Sequence, residues 1–77
     1  MEELMRKICL TIRDNPEKHT TFKDFGVDKE TFGTAIELCL KEGLIKDGLA
    51  LRNGRENKIH MCGINEAKLT EKGYDYI

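Results

Sequence analysis

Apolar residues at the start of the chain recur at helical spacing. Leu4, Met5, Ile8 and Ile12 fall on one face and Met1 extends the stripe, which predicts a helix over residues 2–14. Asn15-Pro16 stops it, because the residue before a proline is pushed out of the helical region. Cys9 and Leu10 flank or oppose the stripe. Residues 19–22, His-Thr-Thr-Phe, are β-branched enough to lie extended, and residues 23–26 offer at most one or two helical turns closed by Gly26. The next helix is the best defined. Asp28 is its natural N-cap, Val27 and Phe32 occupy the positions of a hydrophobic staple, and Phe32, Ala35, Ile36, Cys39 and Leu40 form its buried face. Gly43 ends it as a left-handed residue, with Leu44 placed to pack back on Cys39.

From Leu44 to Cys62 the pattern changes to alternation and predicts a hairpin. Leu49 and Leu51 alternate with Ala50 and Arg52, while Ile59 and Met61 alternate with Lys58, His60 and Cys62. Asn53-Gly54 looks like a two-residue turn. That turn sets Leu51 opposite Glu56 and Leu49 opposite Lys58, so apolar residues face charges across one sheet face. Pairing Leu51 with Ile59 and Leu49 with Met61 restores an apolar face and demands a wider loop, roughly residues 53–57. The chain then closes on a segment in which Thr70 is the N-cap and Leu69 and Tyr74 sit at staple positions. Gly73 inside that segment costs about 1 kcal/mol of helix propensity, which points to another backbone passing close. Tyr74 and Ile77 are expected to dock on the core.

The order helix, short strand, helix-turn-helix, β-hairpin wing and C-terminal helix is the plan of an α+β winged helix filling residues 1–77 as one domain. The stretch FGVDKETFGTAIELCLKEGLI resembles the second half of a helix-turn-helix followed by a first wing strand, and KLTEKGYDYI resembles the threonine-capped segment after the wing. Nearly the whole chain is similar to the small YjcQ-type family of Firmicutes and their prophages. The marks are DFGV at residues 24–27, KEGLI at 41–45 and LTEKG at 69–73. The resemblance implies a winged-helix-like fold, a bacterial or mobile-element origin, and no established biochemical role. In one respect the chain departs from the usual DNA-binding motif: the helix ahead of Gly26 is shorter, which argues against standard major-groove docking.

Composition narrows the classes. Seventy-seven residues leave room for one core, and a chain this short buries only about 60% of the surface its unfolded form exposes. At 39% hydrophobic and 35% charged it reads as globular, and a net charge of −1 sets up no global attraction to polyanions. Cys9, Cys39 and Cys62 are odd in number and dispersed, which favours a reducing cytoplasm over a disulfide framework. The N-terminus, opening on Glu2 and Glu3, reads as neither a signal peptide nor a membrane span. The cysteines with His19 and His60 lack metal-ligand spacing. No phosphate-cradling glycine loop or nucleophile motif is present, so neither an enzyme, a cofactor nor a small-molecule substrate is expected.

Two partner classes remain. Over residues 28–43, Lys29 and Lys41 stand against Asp28, Glu30, Glu37 and Glu42, a net of −2 that suits a groove-reading helix poorly. Residues 44–60 reverse the sign: Lys46, Arg52, Arg55 and Lys58 stand against Asp47 and Glu56, a net of +2, with His60 nearby. Those four cations, His60 and Lys29 at the helix start are the candidate contacts to double-stranded DNA through the wing. The alternative is a protein-interaction module or homodimer that binds no DNA, with Leu10 and Leu38, both off the predicted apolar faces, as candidate interface residues.

Overall fold

The computed structural model describes residues 1–17 and 19–77. Among them the chain forms three α-helices and two small antiparallel ladders, an α+β arrangement: α1 (Glu2–Asp14), α2 (Lys29–Lys41), β1 (Ile45–Lys46), β2 (Leu49–Arg52), β3 (Ile59–Gly63), β4 (Lys68–Leu69) and α3 (Glu71–Tyr76). In α1, Glu2 and Glu3 lie at the amino end and Arg13 at the carboxyl end, each complementing the helix dipole. Its stripe buries Met5, Ile8 and Ile12 as expected, but fully buried Cys9 widens it, while Met1 stays out. The core between α1 and α2 is then Ile8, Cys9, Phe32, Ala35, Ile36 and Cys39, closed below by Leu44, Ile45, Ile64 and Ala67.

No strand forms over residues 19–22. Thr21 is extended, but the N–H of buried Thr20 donates to the Asn65 side chain (3.1 Å) rather than to a neighbouring strand. Phe22–Phe25 then makes one 3₁₀ turn. A capping box of Thr21 with Asp24 starts it and Gly26, at φ 69°, ends it. The Phe25 ring stacks on Phe32 with centroids 5.2 Å apart.

α2 begins and ends as its sequence requires. Asp28 accepts from the Thr31 N–H at 2.7 Å, and Gly43 at φ 75° turns the chain so that Leu44 N donates to Cys39 O (2.9 Å) and Gly43 N to Leu40 O (3.1 Å). Those two bonds are the paired closure of a Schellman end. Thr70 reads the same corner from the far end of the chain. Its hydroxyl donates to the carbonyls of Gly43 and Leu44 and accepts from Gly73 N, capping α3. A Cβ on Gly73 would lie within 2.1 Å of Leu44 O, so the close backbone expected there is the α2–β1 connection.

Three further expectations need correction. β1 leaves the hairpin and pairs with β4, Ile45 opposite Leu69, and the hairpin expected as a wing, so labelled below, is β2 with β3 alone. Its loop is wide, closed by Asn53 N to Lys58 O (2.8 Å), but Leu51 pairs with Met61, Leu49 with Gly63 and Arg52 with Ile59. The extra residue is His60, a bulge that rotates Ile59 onto α2 while Met61 turns outward. Gly33 sets this: a Cβ there would sit 2.5–2.7 Å from three Ile59 side-chain atoms, so the missing side chain is the slot that Ile59 fills. At the carboxyl end Tyr74 is 56% exposed, and Tyr76 with Ile77 packs on the core in its place. Residues 73, 76 and 77 share a face at helical spacing, and Gly73 pressed on Leu44 points that face inward.

Candidate interaction surface

The solvent side of α2 carries Glu30, Thr34 and Glu37 at successive helical turns. β2 runs over this row, and Arg52 at its end reaches all three. Its Nε and Nη2 donate to the two oxygens of Glu37 at 2.8 and 2.6 Å, Nη1 to Glu30 at 2.9 Å, Nη2 also to Thr34 at 3.2 Å, and Nη1 again to the Asn57 carbonyl at 2.6 Å. The free oxygen of Glu30 accepts the Ile59 N–H at 2.8 Å. The fork of a guanidinium suits such bidentate contact, where a lysine would make one point of contact. The Ile59 amide and then Arg52 hold the Glu30 carboxyl below its ordinary value, Arg52 does the same for Glu37, and both glutamates raise Arg52 in return.

The six basic residues singled out from the sequence therefore do not form one patch. Arg52 is turned under the wing and spent on α2. Lys29 donates to the His60 carbonyl at 3.2 Å. Arg55 and Lys58 are exposed at the tip, where Lys58 lies 3.8 Å from Glu56 in a solvated pair of little energetic weight. His60 is exposed on the bulge. Lys46 sits at the other end of the wing, opposite Lys68, separated from the tip by the four residues of β2, roughly 13 Å of strand. Leu38 packs on the core and lines a cleft with Met5, Leu44 and Tyr76, while Leu10 is half-buried beside Lys7 and Phe25.

The three residues expected to share one apolar sheet face with Ile59 stand on the surface, on the face opposite to it. Leu49, Leu51 and Met61 are 38, 49 and 51% exposed on the outer face of the wing, while Ala50, Arg52, Ile59 and Cys62 face α2. The signal that identifies them is Gly33: one glycine slot in α2 accepts one large β3 side chain, and the bulge that delivers Ile59 to it sends the opposite row out.

Among the described residues no group of three or more His, Cys, Asp or Glu is placed to hold a metal ion, and no helix is long and apolar enough to cross a membrane. The Cys39 thiol, hydrogen-bonded with Cys9 inside the apolar core, is pushed well above the ordinary thiol value, and burial likewise raises Cys62. Both are poor nucleophiles in that state. No family model, curated protein or solved structure matches the chain.

Proposed function

We propose that this chain is a small winged-helix-like binding module, cytoplasmic and non-catalytic, that works by contact with protein and not as a reader of the DNA major groove. The order of helix, 3₁₀ turn, capped helix, hairpin and terminal helix supports the fold, as does the resemblance to the YjcQ-type family. The observation that carries the function is the closure of Arg52 on Glu30, Thr34 and Glu37. In a groove-reading winged helix that row meets base edges. Here it is acidic, already hydrogen-bonded and lidded by the wing, and its one compensating cation is internal. Meanwhile the wing turns leucine and methionine to solvent, a composition that protein interfaces use and phosphate contacts do not.

The test is a titration of the protein into a fluorescently labelled random duplex at low salt, read by anisotropy. The expected result is no saturable binding. Saturable binding that weakens steeply with salt, and that is lost in the double variant Arg55→Ala, Lys58→Ala, overturns the proposal and makes the wing tip an accessory DNA contact.

A further inference from the structure

The two edges of the wing are treated differently. Along β3, the first turn of α2 supplies partners: Glu30 takes the Ile59 N–H at 2.8 Å, Lys29 donates to the His60 carbonyl at 3.2 Å, and the Cys62 thiol donates to the Lys29 carbonyl at 3.8 Å. The bulge at His60 further spoils β3 as a template. β2 carries none of these protections. Among the described residues it pairs only with β3, it contains no proline or bulge, and its one charge, Arg52, is turned inward. An open, regular edge with apolar side chains is the arrangement that adds another strand.

We infer that the β2 edge pairs antiparallel with β2 of a second copy, about a two-fold axis through Ala50. This rests on the protein-contact reading above. Strand pairs share a face, so a symmetric antiparallel pairing must centre on a residue. Centred on Ala50, Leu49 stands beside Leu51 of the other copy, twice over, and the outer row runs unbroken through both wings. Centred on Leu51, Leu49 faces Asn53 and Ala50 faces Arg52, which breaks it. The Ala50 register also lays the tip of each hairpin beside the base of the other. The tip carries Arg55 and Lys58 against Glu56. At the base, Asp47 and Glu66 line a groove of about 550 Å³ beside Leu49, together with His19 and Asn65, while the neighbouring pair Lys46 and Lys68 lies outside that lining. Cationic tip thus meets acidic groove at both ends. A polyanion or an anionic lipid surface gains from the tip and is repelled at the groove; a second copy satisfies both. A four-residue strand supplies few backbone bonds, so the association is reversible and seen at high protein concentration.

The experiment is sedimentation equilibrium of the full chain over a concentration series, with Leu51→Glu as the variant and circular dichroism as the control for folding. The wild type is expected to dimerise and Leu51→Glu to associate about tenfold or more weakly, since it sets a carboxylate into the apolar row. Register is tested in a Cys62→Ala background by oxidising Leu49→Cys and Leu51→Cys chains, separately and mixed. The mixture is expected to give a disulfide-linked dimer well ahead of either variant alone. Faster linking of Leu51→Cys with itself overturns the Ala50-centred pairing. A wild type that stays monomeric throughout, or a Leu51→Glu variant that dimerises equally well, overturns the self-pairing. Monomer without duplex binding leaves the protein-contact reading standing, whereas monomer with salt-sensitive duplex binding removes both.

Discussion

The inner and outer faces of the β2–β3 hairpin reverse the usual alternation of a surface ribbon. Its inner face holds Ile59 in the slot left by Gly33 and also holds the strand's only charge, Arg52, bound to two glutamates. Its outer face holds Leu49, Leu51 and Met61 in water. A surface ribbon ordinarily puts its charge outside and its leucines inside. The reversal is consistent locally, because the helix beneath is acidic and offers room for one large side chain only. The inner face thus fixes the wing to α2, and the half-exposed outer face has the smaller part in holding the monomer together.

The largest expected effect breaks the inner face. Ile59→Ala removes a buried side chain and leaves a cavity over Gly33, at a cost of about 2–5 kcal/mol. The same truncation on the outer face, Leu51→Ala, is expected to change monomer stability by no more than about 0.5 kcal/mol. Urea unfolding of both variants at low protein concentration measures the difference. Equal losses would show that the outer row is also packed, and the contrast between the faces would be gone.

Next in size is Gly33→Ala, where the sign depends on its partner. In the wild type the new methyl meets Ile59 at 2.5–2.7 Å on several atoms, and overpacking of this kind costs about 1–3 kcal/mol. In the Ile59→Ala background the slot is empty and the substitution is expected to stabilise, because alanine is favoured over glycine inside a helix by about 1 kcal/mol. A double-mutant cycle by urea unfolding reads this as a strong coupling. Additive behaviour would mean that Gly33 and Ile59 do not determine the register.

The contact between Gly33 and Ile59 explains what the sequence could and could not reveal. The ends of α2 are written in nearby residues: Asp28 caps its own helix, and Gly43 with Leu44 closes it, so start, face and stop were readable in order. The wide loop was readable too, because the tight turn put leucines against charges. The pairing inside the hairpin was not, since it is decided by a glycine sixteen or more positions away that selects which β3 residue points inward. Arg52 shows the same limit. A helix of net −2 and a hairpin of net +2 were visible as separate facts, and read separately the hairpin looks like a phosphate contact. Folding lays one on the other, and Arg52 of the wing is taken up by the helix it covers. Likewise Tyr74 was expected on the core with Ile77, but which tyrosine faces inward depends on Gly73 meeting Leu44.

The smallest effect concerns the latch itself, and its sign follows from the pairing. Glu30 and Glu37 have carboxyl groups held below their ordinary value, so the stability they lend is fully present above that ordinary value, 4.5, and is lost as pH falls through the depressed folded-state values. The two carboxylates stay in partial contact with solvent under the hairpin, and screening keeps the effect modest. Arg52→Ala removes the partner of both, and its melting temperature near neutral pH is expected to fall by about 5 °C. The gap between variant and wild type should close as the pH is lowered below 4.5, because protonated glutamates no longer need the guanidinium. Arg52→Lys should recover only part of the loss, since one ammonium cannot span both carboxylates and Thr34. Thermal melts across pH 3–7 on the three proteins distinguish this from a packing role of the arginine stem. A packing role predicts a gap that does not change with pH, and that result would leave the inner face held by Ile59 alone.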